Sequence, residues 1–264
     1  GFADGEGEPR AEQAADHPLY LPLARTLGQR TAELHLALAD SAGDPAFDPE
    51  PASEADVSTW IARVNADIDI TWAALDGAIP QLDDATASSA RALLGHAEAL
   101  KARVALAARQ PIAALKIRHH GDYHLGQVLM SEHDFIIVDF EGEPSRPVAE
   151  RRVKHSPLRD VAGMIRSFDY AAAVALREAT AMRDEDRVYL QLYAYAWCRA
   201  ASAAFTEAYF ATVGDSGVVP PQGGHALLDL FTIEKALYEI RYELSSRPAW
   251  LAVPVQGLVR LLNG

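Results

Sequence analysis

The feature that most narrows what this chain can fold into is a change of hydrophobic period near its middle. From Leu19 onward Leu23, Leu27, Thr31, Leu34 and Leu38 recur at three- and four-residue steps, as one buried helix face requires. A Pro/Asp loop over 44–51 ends that pattern. Ser53 with Asp56 then reads as a capping box, opening a helix whose apolar face is Val57, Trp60, Ile61, Val64, Ile68, Trp72 and Leu75. A third helix is expected over 84–109, stopped by Pro111. Between Leu115 and Phe140 the period breaks into apolar runs too short for helices: Leu-Lys-Ile-Arg, Gln-Val-Leu-Met and Phe-Ile-Ile-Val-Asp-Phe. The polar Ser131 to Asp134 turn pairs the last two as a hairpin. After a charged loop over 142–155, Ser156 and Pro157 form an N-cap and first-turn proline for a helix through Val161, Met164, Ile165 and Phe168. Further helices are expected over 185–213, 225–246 and 250–262. The predicted fold is therefore mainly α: three helices, a small central β-hairpin element, then four helices.

Composition limits the partners. Half-apolar content over 264 residues is enough for a sizeable core, whereas Lys+Arg 24 against Asp+Glu 37 gives a formal charge of -13. Such a surface repels phosphate backbones and anionic membranes, so nucleic acid and membrane are not expected partners. No run approaches the ~20 apolar residues that span a bilayer. The lone Cys198 lies in an apolar run and reads as a buried, inert thiol, which suits a cytoplasmic protein. Residues 1–18, rich in Gly, Glu and Asp, read as a flexible linker ahead of one domain over 19–264.

Polar residues concentrate at His119-His120-Gly121-Asp122-Tyr123-His124-Leu125-Gly126-Gln127 and again at Asp139-Phe140-Glu141-Gly142-Glu143. Two carboxylates at neighbouring strand ends, joined by a hairpin, put hard oxygen donors around one small volume. That arrangement suits Mg2+ and a phosphoryl group: Asp122 as the base that orients an acceptor hydroxyl, and Gln127, Asp139 and Glu141 as oxygen ligands. His120 and His124 stand at a zinc-like spacing, but their loop setting and carboxylate neighbours favour magnesium. The run Glu150 to His155 reads as a solvated charged loop or as a steering patch for nucleotide phosphates. Lys235, Tyr238 and Tyr242 share one face of a late helix. Without further context that face is an ordinary salt-bridged surface.

His-Gly-Asp, five steps to an amide, then a hydrophobic strand ending in Asp resembles the catalytic and metal loops of aminoglycoside phosphotransferases. The string His-Gly-Asp-Tyr-His-Leu-Gly-Gln-Val-Leu, with Asp-Phe-Glu-Gly-Glu-Pro, Ser-Pro-Leu-Arg-Asp-Val-Ala-Gly-Met and the stretch from Phe231 to Glu243, is similar to the maltokinases, which phosphorylate maltose from ATP and are often fused to trehalose synthase. The resemblance implies the C-terminal lobe of a kinase-like fold and an ATP-dependent sugar kinase making maltose 1-phosphate. It implies Asp122 as base, Gln127, Asp139 and Glu141 around Mg2+, and His124, Lys235, Tyr238 and Tyr242 at the acceptor. His120 and Asp160 would support the catalytic loop.

A kinase of this type also needs a covering loop and a strand lysine on an N-terminal lobe. Among Lys101, Lys116, Lys154 and Lys235 no lysine fits, because Lys116 lies too close to Asp122 along the chain. The sequence is therefore expected to lack the ATP lobe and to turn over weakly alone, with that lobe and a trehalose synthase domain as implied partners. Two other functions stay open: a non-catalytic carbohydrate-binding or interaction module, and a phosphotransferase for another small alcohol such as an aminoglycoside or choline.

Overall fold

The computed structural model describes residues 19–109, 112–144, 146–179 and 184–263. The expected linker over 1–18 and the stop at Pro111 lie outside these residues. Helix α1 (Tyr20–Leu38) lies along α7 (Asp184–Val213). The approach is close at Gly28, where a Cβ would stand 2.2 Å from the Phe205 carbonyl oxygen. The face that α1 buries is Ala24, Leu27, Gly28, Thr31, Ala32 and His35. It is rotated from the leucine stripe expected, because small residues permit the close crossing and the leucines flank it.

Helix α2 (Glu54–Ala78) opens on the expected capping box: the Ser53 side chain accepts from the Asp56 amide, and the Asp56 carboxylate accepts from the Ser53 amide. Its buried face is Val57, Trp60, Val64, Ile68, Thr71 and Leu75. The expected third helix is divided into α3 (Asp84–Leu94) and α4 (Ala97–Val104), with Gly95 closing the first. After the short α5 (Val148–Arg151), helices α6 (Leu158–Glu178), α8 (Gly224–Ser246) and α9 (Ala252–Asn263) complete the fold. Helix α8 is buried nearly all round, from Leu227 to Glu243, and packs against α2, α4, α6 and α9. The core sits around it.

The β structure departs from expectation. Strand β1 (Glu50–Pro51) pairs antiparallel with β2 (Leu115–Lys116), and β3 (Val128–Ser131) pairs separately with β4 (Asp134–Ile137). The hairpin turns as predicted, through Glu132 in the left-handed region at φ 56°. It is not a central element: Leu129, Met130 and Ile136 are 55%, 65% and 54% exposed. One face is turned outward, and the other rests on α1, where Arg30 binds Asp134 in a bidentate pair at 2.7 and 3.0 Å. Lys116 belongs to the other sheet and is held by Asp56 at 2.9 Å. The description as a helical fold organised on a central hairpin is corrected accordingly to a helical core with two small peripheral sheets.

Candidate functional site

The site is built on the turn between β2 and β3. Gly121, at φ +84°, reverses the chain, and the buried Asp160 on α6 holds the reversal from below. Its carboxylate accepts from the amides of His120 (2.7 Å) and Gly121 (2.9 Å), and His35 of α1 stands 3.2 Å from the same group. Burial alone would raise this carboxyl. The opposing pull of His119, His35 and the backbone N–H groups outweighs it and holds Asp160 well below the usual carboxylate range. The other nitrogen of His35 lies 2.9 Å from the Tyr209 hydroxyl, and Tyr123 reaches Thr31 at 2.8 Å. Helices α1 and α7 thus clamp the turn through a buried polar network.

His120 stitches the turn to the end of β4. Its Nε2 donates to the Val138 carbonyl at 2.8 Å, and its Nδ1 accepts from the Asp122 amide at 3.3 Å. With both nitrogens engaged by backbone groups and 1% exposure, His120 leaves no ring nitrogen open to a zinc ion. Leu125 is anchored to Ser167 of α6 at 2.9 Å, and a Cβ at Gly163 would meet the Tyr123 carbonyl oxygen at 2.6 Å, so α6 presses directly on the loop.

Asp122 projects from this support into a cleft. Its two oxygens face Lys235 Nζ at 3.7 Å and His124 Nε2 at 3.8 Å, and Lys235 also faces Glu143 at 3.7 Å. Burial raises the Asp122 carboxyl; Lys235 opposes this and Glu143 adds to it. Burial likewise lowers His124, against the pull of Asp122. Across the hairpin, Gln127 Nε2 donates to Asp139 Oδ2 at 2.9 Å. Asp139 sits at φ 66°, a conformation that costs a non-glycine residue energy and turns its carboxylate back toward Gln127. The Gln127 amide oxygen and the second Asp139 oxygen are hard donors of the kind magnesium takes, with water and phosphate completing its shell. This donor set fits the ion. Among the described residues no group of three or more His, Cys, Asp or Glu forms a cage. Glu141 is exposed, and its backbone carbonyl accepts from Arg151 at 3.0 Å.

Lys235, Tyr238 and Tyr242 line a hollow of about 410 Å³ beside Asp122 and His124. The two tyrosine rings stack at 6.2 Å with 19° between planes, and Lys235 Nζ lies 5.1 Å from the Tyr238 ring centre. Sequence reasoning missed the rest of this wall. Glu239 is bound by Arg166 at 2.9 Å, and Glu243 accepts from Tyr170 at 2.9 Å. Glu239 lies four residues after Lys235 and three before Tyr242, one helical turn from each, and was readable as part of the same face; Tyr170 and Arg166 come from α6 and carry no local signal. His35, Thr31 and Tyr209 were missed because they looked like ordinary members of helix faces.

No protein-family model matches the chain. It is 30% identical over 253 residues to a glucosamine kinase of Streptacidiphilus jiangxiensis and 31% identical over 261 residues to a glucosamine kinase of Mycolicibacterium smegmatis, in each case over 96% of this chain but 52% and 57% of the relative. The chain therefore spans about half the length of the curated relatives it matches. Solved structures of a glucosamine kinase superpose at TM-scores of 0.72 and 0.74 with 26% identity, covering 98% and 96% of this chain and 55% and 53% of theirs. A glucosamine kinase in complex with glucosamine, ADP and inorganic phosphate gives 0.73 at 27% identity.

Sequence and fold thus place the likeness of this chain among sugar kinases. The resemblance is to glucosamine kinases, and nothing in these likenesses supports maltokinase in particular, nor a trehalose synthase partner. The expected fold class, a C-terminal lobe of an aminoglycoside-phosphotransferase-like kinase without its ATP lobe, is corrected: the structure is mostly helical with small sheets, and nearly all of it follows part of a glucosamine kinase chain. No helix among the described residues is long and apolar enough to cross a membrane.

Proposed function

We propose that the chain carries the acceptor-binding and proton-accepting part of an ATP-dependent sugar kinase working in the cytoplasm. One observation supports this above the others: Asp122 stands on a turn pinned from below by Asp160, with its carboxyl raised by burial, at the mouth of a hollow walled by tyrosines and carboxylates. A base poised above the ordinary carboxylate range is suited to taking the proton of an attacking hydroxyl. In this reading Gln127 and Asp139 hold Mg2+, with Glu141 at the edge of its shell, and the ion would neutralise the phosphates of ATP. His124 and Lys235 fix the orientation of Asp122, and Tyr238 and Tyr242 cover the apolar C–H faces of the sugar.

Glucosamine is the favoured acceptor, from the relatives' names and from the lining. Asp122, Glu143, Glu239 and Glu243 outnumber Lys235 and Arg247 around the hollow, which suits a protonated amino sugar. The deciding experiment is phosphorylation by the native full-length protein of glucosamine, maltose and a panel of aminoglycosides and choline. Asp122→Asn is expected to cut turnover by about 10²–10⁴-fold with KM for the sugar nearly unchanged. Wild-type turnover in that variant would remove the proposed base. Sugar binding unaffected by ATP and Mg2+, with no turnover on any acceptor, would favour the alternative of a non-catalytic carbohydrate-binding module.

A further inference from the structure

Helix α9 contributes no residue to the tyrosine-walled hollow, yet a chain of ion pairs joins it to that wall. Arg166 of α6, 3% exposed, is the middle of the chain. Its Nε and Nη2 stand 2.9 and 2.8 Å from one and the same oxygen of Glu239, Oε2, and its Nη1 donates to Asp169. Asp169 accepts in turn from Arg260 of α9 at 2.6 Å. The guanidinium has room because α9 carries a glycine where it passes: a Cβ at Gly257 would stand 2.1 Å from Arg166 Nη1 and 2.8 Å from its Cζ. We propose that Arg166, seated by Gly257, is a positioning residue that presents Glu239 to the hollow as an ionised acceptor for the amino group of a sugar; the assignment rests on the sugar-kinase reading above.

The way each carboxylate of the hollow is held carries the proposal. Glu243 is closed on both oxygens: Oε1 accepts from Tyr170 at 2.9 Å and from Arg247 at 2.7 Å, and Oε2 accepts from Arg247 at 3.1 Å. Asp122 and Glu143 both face Lys235 at 3.7 Å. Arg166 engages Glu239 on Oε2 alone, which leaves Oε1 without a hydrogen-bond partner among the described residues while the fork fixes its direction. Glu239 lines the hollow and is only 6% exposed, so its ionisation depends on its partners. Burial raises its carboxyl; the Arg166 charge is the foremost influence against that rise, ahead of Lys235, and Asp169 adds to it. Without Arg166 the buried carboxyl keeps its proton, and a protonated Glu239 must shed it before pairing with an ammonium. Removing Arg166 therefore weakens binding of the cation even though it removes a competing charge. A neutral sugar of the same shape makes no such demand.

Glucose carries a hydroxyl where glucosamine carries an ammonium, so the ratio of their affinities reads the charge of Glu239. Both sugars are titrated calorimetrically into the native full-length protein near neutral pH. Arg166→Gln and Gly257→Ala are each expected to lower the glucosamine-over-glucose ratio by about tenfold or more, Glu239→Gln to abolish the preference, and Arg166→Lys to restore part of what Arg166→Gln loses. Gly257→Ala is the sharper probe, because it removes no charge and lies outside the hollow. An unchanged ratio in Arg166→Gln or Gly257→Ala, an equal loss for both sugars, or a preference retained in Glu239→Gln would overturn the assignment and leave the sugar-kinase reading standing. Wild-type protein that prefers glucose overturns it too, and wild-type protein that binds neither sugar removes that reading with it. Circular dichroism of each variant separates lost binding from lost fold. If Arg166→Gln does not fold, Gly257→Ala and Glu239→Gln decide the question.

Discussion

Asp122 combines a cost with a use. Because burial raises its carboxyl, the protonated form persists above the ordinary range near pH ~4. A protonated Asp122 cannot accept the acceptor's proton, so kcat/KM is expected to fall with falling pH through a limb displaced above that value. Lys235→Met removes the charge that opposes the shift and should move the limb further up; a limb that stays at or below pH ~4 would exclude Asp122 as the base. The consequence for stability has the opposite sense to that of a salt-bridged carboxylate. A group that binds its proton more tightly when folded costs stability once ionised, so Asp122→Asn, while cutting turnover, should raise Tm by a few degrees at neutral pH. Asp160 is the counterpart. Its depressed carboxyl contributes stability above the unfolded pKa of about 3.9, lost as pH falls toward its folded value. Both aspartates were legible by type and spacing, but their opposite shifts were not, because burial and partners come from α1, α6 and α8.

The turn owes its placement to two helices that crowd it. Helix α6 meets the loop at Gly163, with no room for a side chain against Tyr123, and α1 meets α7 at Gly28, with none against Phe205. The two glycines should fail differently. Gly28→Ala overpacks a helix crossing and is expected to cost about 1–3 kcal/mol, read as a lower midpoint in urea. Gly163→Ala displaces the turn that carries Asp122 and should lower kcat by about 100-fold with a smaller loss of stability. Equal kcat in the Gly163 variant and wild type would show that α6 does not set the position of the base. Helix existence and most boundaries were readable from period and caps: the Ser53 to Asp56 box and the α8 and α9 spans follow expectation. The rotated face of α1 was not, since which side of a helix is buried at a close crossing depends on the partner.

At the scale of the molecule, stability should respond to mild acid. Burial lowers His119 to about 4 and moves His155 in the same direction, whereas an unfolded histidine titrates near 6.5. The unfolded chain then binds more protons, so stability is expected to fall as pH drops from about 6.5 toward 4, and His119→Gln should flatten that slope in denaturation midpoints taken across the range. The sequence by itself determined the succession of helical and extended segments, the hairpin turn, the buried state of Cys198 (5% exposed) and the closeness of Gln127 to Asp139 across the hairpin, because each follows from local period, caps or short spacing. Only the tertiary structure decided that the hairpin lies at the periphery, that the Leu115–Lys116 strand joins a different sheet, that His35 and Tyr209 brace Asp160, and that Arg166 lies between Glu239 and Gly257. Those are contacts between residues tens to more than a hundred positions apart, and their energy depends on burial and partners that no local window contains.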